Sequence, residues 1–159
     1  MIGHKELPDT SARVAQNTSE EINRTIRTQT DADLLRLEGC NKAELSERVE
    51  ELSREWDVER VLQLNAGVIA GAGLLLGSRV DRRFLLLPAA VFSFLLQHAL
   101  QGGCPPLPLF RRFGVRTAQE IERHRYAVKA LRGDFEGLPQ AGRASHVRRV
   151  RAVLNAVDT

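Results

Sequence analysis

Two long stretches without a formal charge lie in the middle of the 159-residue chain. The first comprises the 18 residues from Val61 to Ser78, and the second runs from Phe84 to Phe110. At about 1.5 Å per residue, the first stretch forms a helix of about 27 Å, close to the roughly 30 Å hydrocarbon core of a bilayer. Apolar runs in soluble cores are usually shorter, about 10 to 14 residues. The two stretches therefore indicate two transmembrane helices.

The charged link at residues 79–83 determines how the two helices connect. A link of about five residues joins two spans only as an antiparallel hairpin. We predict an all-α fold with a two-helix transmembrane hairpin over 61–110, its spans at about 61–78 and 84–103, and amphipathic helical arms on both sides. The alternative is a soluble helical binding protein with a buried hairpin, for which the rest of the chain offers little apolar surface.

Charge is unevenly distributed along the sequence. Residues 1–60 hold 9 basic and 14 acidic residues, residues 61–110 hold 3 and 1, and residues 111–159 hold 11 and 5. The corresponding net charges are −5, +2 and +6. The basic character is thus confined to one end, which does not favour a nucleic-acid-binding surface.

This charge pattern divides the chain into arms around the hairpin. We predict a disordered N-terminus at 1–17, an acidic helical arm at 18–60 and a basic helical arm at 111–159. Asn41 and Glu44 form a capping box that starts a helix in the acidic arm. This amphipathic helix is expected to continue directly into the first span.

The basic arm has start and stop signals for two helices. A capping box at Thr117 begins the first, and Gly137-Leu138-Pro139 is expected to end it. Ser145 is expected to cap the last helix, whose apolar face holds Val147, Val150, Leu154 and Val157. The other face carries Arg148, Arg149 and Arg151. Three roles are open for this helix. It could bind anionic lipid, its arginines could be solvated without a partner, or the arginines could attract the acidic arm.

The orientation of the hairpin follows from the arginines near its ends. The link carries three: Arg79, Arg82 and Arg83. The opposite side carries eight: Arg48, Arg54, Arg60, Arg111, Arg112, Arg116, Arg123 and Arg125. The positive-inside rule therefore predicts a multi-pass protein with both termini in the cytoplasm, and Trp56 is suitably placed as an interfacial anchor.

Four glycines in the first span form two pairs spaced four residues apart, Gly67 with Gly71 and Gly73 with Gly77. Each pair creates a flat surface that another helix backbone can approach closely in lipid. We predict helix packing at these glycines. The partner is either the second span or a second copy of the chain in a homodimer.

Four strongly polar side chains lie within the spans. Gln63 and Asn65 are near the start of the first span, and Gln97 and His98 are near the end of the second. An antiparallel hairpin brings these ends to one membrane face, where polar groups need partners. We predict a structural layer of hydrogen bonds, with a functional relay through His98 as the alternative.

The cysteines and histidines do not form a recognisable catalytic or metal site. Cys104 precedes Pro105 and lies close in sequence to Arg111 and Arg112, whose charges favour a thiolate. No C-x-x-C partner accompanies it, and Cys40 belongs to a different arm. The histidines lack metal-ligand spacing. We expect no metal, no cofactor and no enzymatic activity, with a thiol-based redox or sulfur-handling role for Cys104 as the alternative.

The hairpin resembles the YgaP-like inner-membrane transmembrane domain family, two-helix hairpins of unknown function. The likeness covers about a third of the chain, from Val61 to Thr117, and rests on the glycine-rich AGVIAGAGLLLG, a short turn, an apolar second span and the closing GGCPPLPLFRRFGVRT. It implies a bacterial inner-membrane anchor that dimerises. The rhodanese domain fused to some members is absent here, so sulfurtransferase activity is not implied.

The sequence therefore predicts a membrane anchor or scaffold. Its partners are the lipid bilayer, a second copy of the chain, or an unidentified cytoplasmic protein bound through the arms.

Overall fold

The computed structural model describes Asp9 and residues 12–139 and 146–158. Within these residues the secondary structure is helical and no strand occurs, so the all-α prediction is confirmed. The elements are α1 Arg13–Gln16, α2 Glu20–Leu37, α3 Lys42–Arg54, α4 Val58–Arg79, a 3₁₀ helix Arg82–Leu85, α5 Leu86–Gln101, α6 Leu107–Arg112, α7 Ala118–Arg132 and α8 His146–Asp158.

The chain divides into two compact units, each assembled from segments distant in sequence. The first contains the described residues up to Arg27 together with Trp56–Gln119. The second contains Thr28–Glu55 and the described residues from Glu120 onward. The boundaries differ from the predicted succession of acidic arm, hairpin and basic arm, because both arms contribute to the second unit.

The helix of the acidic arm does not continue into the first apolar helix, so that prediction is wrong. α3 ends at Arg54, and Glu55 is extended, with φ −64° and ψ 138°. Asp57 then caps α4, accepting a hydrogen bond from the Arg60 backbone N–H at 2.7 Å. A carboxylate at this position satisfies an otherwise unpaired N–H and favours a new helix start.

α4 and α5 pack against each other through the 3₁₀ turn that joins them. Asp81 caps this turn by accepting from the Arg83 N–H at 2.8 Å. Pro88 lies in the first turn of α5, where its missing N–H costs no helical hydrogen bond. Gly102, at φ 74°, ends α5 in a left-handed conformation that glycine adopts without strain.

A small apolar core fixes one end of this helix pair. Its buried residues come from α1, α4, α6 and the segment before α6: Val14, Val58, Leu62, Cys104 and Leu107. The backbone N–H of Val58 also donates to Arg116 O at 2.9 Å. Residues 13–16 therefore form a packed helix where the sequence predicts disorder, and the rest of that prediction mostly lies outside the described residues.

The second unit has its own apolar core, shared by α2, α3 and α7. Its buried members are Leu37, Leu45, Val49, Leu52, Ile121 and Val128. The predicted capping box is confirmed, since Asn41 accepts from Glu44 N while the Glu44 carboxylate accepts from Asn41 N. α7 ends at Arg132, earlier than the predicted break at Gly137. The next residue, Gly133, takes φ 89°, a left-handed conformation that ends the helix. The predicted Ser145 cap lies outside the described residues.

The arms thus do associate, but not through the arginines expected to attract them. Arg148, Arg149 and Arg151 are exposed and form no ion pair with a residue that the structure describes. Association depends instead on the apolar core and on Asp33 of α2, whose carboxylate lies 3.1 Å from His124 Nε2.

Asp33 is the electrostatic centre of the second unit. Its Oδ2 accepts a hydrogen bond from Arg48 Nε at 2.9 Å, while Arg36 pairs with Oδ1. Burial alone would raise the pKa of Asp33, but the hydrogen bond and charge of Arg48, with the charges of His124 and Arg36, hold it below the ordinary value of 3.8. The ionised form is therefore the one that this fold stabilises.

We predict that Asp33→Asn lowers the free energy of unfolding at pH 7 by about 2 kcal/mol, because Arg48 and His124 lose their carboxylate. Since the folded pKa is depressed, the contribution is complete above pH 3.8 and is lost as pH falls through the folded pKa. Denaturant unfolding of the detergent-solubilised chain by circular dichroism between pH 7 and 3 measures it. The control is Asp31→Asn at an exposed position of the same helix; equal losses for the two variants would contradict the assignment.

Candidate functional site

α4 and α5 together are called the apolar helix pair. Their outward surface is the most unusual surface of the first unit. Large apolar side chains along it are exposed, including Leu64, Val68, Leu74, Leu75, Leu86, Phe92, Phe94, Leu96 and Leu100. Within the most apolar 18 residues of each helical segment, only 22% of the residues are buried in the first segment and 11% in the second. By length and composition, α4 and the helical segment Arg82–Gln101, which includes the 3₁₀ helix, could each cross a membrane.

The four glycines of α4 form two pairs that differ in their packing. A Cβ added to Gly73 would lie 2.7 Å from Pro88 Cδ, and one added to Gly77 would lie 2.6 Å from Leu85 Cδ2. These distances are shorter than van der Waals contact, so both positions depend on the missing side chain. Gly73 and Gly77 therefore pack α4 against the turn and α5.

The other glycine pair contacts none of the residues that the structure describes. A Cβ on Gly67 or Gly71 would meet no atom within 4 Å. Of the two predicted partners, the second helix and the turn before it occupy Gly73 and Gly77. Gly67 and Gly71 leave space beside α4, and packing against a second copy stays a prediction.

The four polar residues predicted to form a hydrogen-bonded layer do not bond to one another. Gln63 and Gln97 are exposed, and Asn65 donates back to Val61 O of its own helix at 2.8 Å. Only His98 is buried, with 4% of its surface exposed. The layer fails because Gln63 and Gln97 are exposed and the amide of Asn65 bonds to its own helix.

His98 instead belongs to a cluster that no local sequence pattern marks, formed by Arg13, Glu59 and His98. His98 Nε2 lies 3.0 Å from Glu59 Oε2, and Arg13 Nη2 donates to Glu59 Oε1 at 3.1 Å. Arg13 Nη1 also donates to Ala99 O at 3.1 Å. Arg13 comes from α1, Glu59 from the first turn of α4 and His98 from the last turn of α5. The cluster joins the start of one apolar helix to the end of the other.

α1 lies close to the end of α5 because two glycines there lack side chains. A Cβ on Gly102 would lie 2.5 Å from Arg13 Cβ, and one on Gly103 would lie 2.7 Å from Asn17 Oδ1. Asn17 Nδ2 donates to Gln101 O at 2.7 Å. The Gly-Gly pair thus has two roles: it ends α5 and it admits α1.

Cys104 is a core residue of the first unit, beside Pro105. Burial raises the pKa of its thiol, an effect that a backbone hydrogen bond at Leu107 only partly offsets and that the charge of Glu59 reinforces. Arg111, expected to favour a thiolate, is itself buried and donates to Val115 O at 3.0 Å and Asn23 Oδ1 at 3.1 Å. The site therefore stabilises the neutral thiol.

An apolar groove of about 430 Å³ runs between the two apolar helices and the segment that follows α5. Its lining includes Leu62, Ile69, Leu87, Phe94, Cys104 and Phe110. Asn65 is the one strongly polar side chain in the lining. A metal or a charged cofactor has few suitable ligands there, and the described residues hold no group of three or more His, Cys, Asp or Glu side chains placed to bind a metal.

The chain has no significant match among family models, curated proteins or solved structures. The resemblance to YgaP-like hairpins accordingly stays a prediction from the sequence.

We predict that Gly73→Ala destabilises the apolar helix pair by about 1 to 3 kcal/mol, the usual cost of overpacking a close contact. Gly67→Ala is the matched control on the same helix and should leave stability unchanged or slightly higher, since its methyl group meets open space. Unfolding by SDS titration in mixed micelles measures both variants. Equal destabilisation, or none at Gly73, would contradict the observed packing.

Proposed function

We propose that this chain is an integral protein of the bacterial inner membrane that serves as an anchor and scaffold without enzymatic activity. The observation that carries the proposal is the exposure of the apolar helix pair along its length. Soluble monomers rarely expose continuous apolar patches above a few hundred Å². In hydrocarbon the same side chains are favourably solvated, each contributing about 1.5 to 3 kcal/mol.

The distribution of polar groups on the first unit supports the same conclusion. The α4 start and the α5 end carry the Arg13–Glu59–His98 cluster, and the opposite end carries the exposed link arginines Arg79, Arg82 and Arg83. Charged groups therefore gather at both ends of the apolar length, where a bilayer has its headgroups. This arrangement favours a membrane hairpin over a soluble binding protein with a buried hairpin.

An aromatic residue at the start of α4 fits an interfacial position. Trp56 is partly exposed, and the Arg60 guanidinium lies 4.3 Å from its ring centroid. Trp and Arg side chains together are well solvated by lipid headgroups. With eight arginines on this side of the hairpin and three in the link, we place both termini in the cytoplasm.

The second unit is the proposed scaffold surface for a cytoplasmic protein. A groove of about 480 Å³ lies between α2 and α7. Exposed Leu35 and Leu131 contribute to its lining, together with Asp31 and Glu38. An apolar groove with an acidic rim suits a basic amphipathic helix of a partner.

Self-association is proposed through Gly67 and Gly71, the pair that leaves space beside α4. Small residues four positions apart let two lipid-embedded helices approach closely. The YgaP-like resemblance supports the same role, since it implies an anchor that dimerises. Gly77 is not part of the proposed contact between two copies, because Leu85 of the same chain already packs against it.

The alternative redox role for Cys104 has less support. Its thiol is buried in an apolar core and its pKa is raised, whereas a reactive thiol is usually accessible and has a lowered pKa. Cys104 therefore fits a packing role.

We predict that two single-cysteine variants report opposite sides of the membrane. In a Cys40→Ser, Cys104→Ala background expressed in a bacterial host, Val80→Cys in the link should react with a membrane-impermeant maleimide in intact spheroplasts. Glu47→Cys on α3 should react only after the inner membrane is lysed. Both positions are exposed in the structure, so accessibility reports the membrane and not the fold.

The opposite labelling pattern would overturn the orientation alone. Labelling of both positions only after lysis, with the protein recovered in the carbonate-soluble fraction, would overturn the membrane assignment.

A further inference from the structure

The C-terminal helix α8 turns its apolar side away from the protein. Val147, Val150 and Leu154 are 63%, 56% and 52% exposed. The side that packs on the second unit instead presents Ala156, which is buried, and Ala152, which is half-buried. Larger side chains gain more from burial than alanine does. A helix placed this way leaves its stronger hydrophobic contribution unused within the chain.

Helical geometry shows that the exposed apolar residues form one stripe. At about 100° per residue, five side chains fall within an arc of about 120°. Val147, Val150, Val153 and Leu154 are exposed, and Val157, within the same arc, is half-buried. Arg149 and Arg151 each lie about 40° beyond an edge of that arc, and Arg148 lies nearly opposite its centre. An arginine thus lies beyond each edge of the stripe, and in projection Asp158, at the end of the helix, lies between one edge and Arg151.

The structure gives these arginines no ion-pair partner among the described residues, although Asp158 ends the same helix. The first turn of α8 has no acidic residue. Arg148, Arg149 and Arg151 form no ion pair with a described residue. A helix with an exposed apolar stripe, three arginines and one carboxylate suits the interface of a membrane with anionic headgroups.

The end of α8 is held by a buried lysine of α7. Lys129 is buried and its Nζ donates to Val157 O at 2.5 Å, near the last turn of α8. A cation at the C-terminal carbonyls is favoured by the helix dipole. This bond keeps the packed side of α8 directed toward the second unit and the stripe directed outward.

We propose that α8 lies in the interface of an anionic membrane, with its apolar stripe at the boundary of headgroups and acyl chains and with Arg149 and Arg151 against lipid phosphates. The inference rests on the proposed function, which supplies the bilayer on the cytoplasmic side. It adds a second, reversible contact that depends on lipid charge.

The test uses the full chain, in a Cys40→Ser, Cys104→Ala background, reconstituted in nanodiscs that contain nitroxide-labelled lipid. One environment-sensitive fluorophore is attached at Val150→Cys in the stripe, or at Arg148→Cys on the opposite side as the matched control. A third variant, Phe92→Cys on α5, reports insertion of the apolar helix pair independently of α8. Each is measured in phosphatidylcholine alone and with phosphatidylglycerol added.

We expect the label at position 150 to be quenched and blue-shifted in the anionic discs, and much less so in neutral discs. The label at position 148 should stay in water in both. Removing two arginine contacts with Arg149→Gln and Arg151→Gln should shift the docking equilibrium by about 30-fold toward the undocked state. Raised salt should act in the same direction.

Quenching at position 92 without quenching at position 150 would overturn the proposal for α8 and leave the anchor intact. Absence of quenching at position 92 would overturn the anchor itself. A label at position 150 that is shielded equally in both lipids, without nitroxide quenching and with a dependence on protein concentration, would show that a second copy covers the stripe and would also overturn the proposal.

Discussion

The structure depends on one constraint: two apolar helices must remain packed together although little protein covers their outer surfaces. Gly73 and Gly77 meet this constraint because they bring the α4 backbone against Pro88 and Leu85 at distances that no side chain would allow. Dispersion between closely packed backbones is the main attraction available to helices in lipid, where the hydrophobic effect does not hold them together. In the membrane that we propose, this contact would persist, and the exposed leucines and phenylalanines would face the lipid.

The polar end of the helix pair complements this packing. Glu59 accepts from Arg13 and pairs with His98, so one carboxylate connects α1, α4 and α5. A charged group near hydrocarbon is tolerated only when paired. The same residues lie where the apolar stretch of the helix pair ends. They therefore both hold the helices together and mark the end of the apolar surface. The second unit is stabilised differently: a buried apolar core and the ion pairs of Asp33 hold its helices together.

The sequence predicts the apolar helices and the Asn41 capping box well, because an uncharged run and a local cap are visible within a few neighbouring residues. It does not reveal the break at Glu55, since the apolar periodicity continues to Trp56 and only the Asp57 cap decides that α4 starts anew. The Arg13–Glu59 pair joins residues 46 positions apart, and no local pattern marks it. Likewise, two identical glycine spacings could not show which pair contacts α5.

The most direct test of the account is the behaviour of the purified full chain when detergent is removed. Sedimentation velocity in plain buffer, compared with the same chain in nanodiscs, measures whether the apolar helix pair needs lipid. The account predicts heterogeneous aggregates in buffer and a single helical species in nanodiscs. A monodisperse, folded monomer in buffer without detergent or lipid would contradict it.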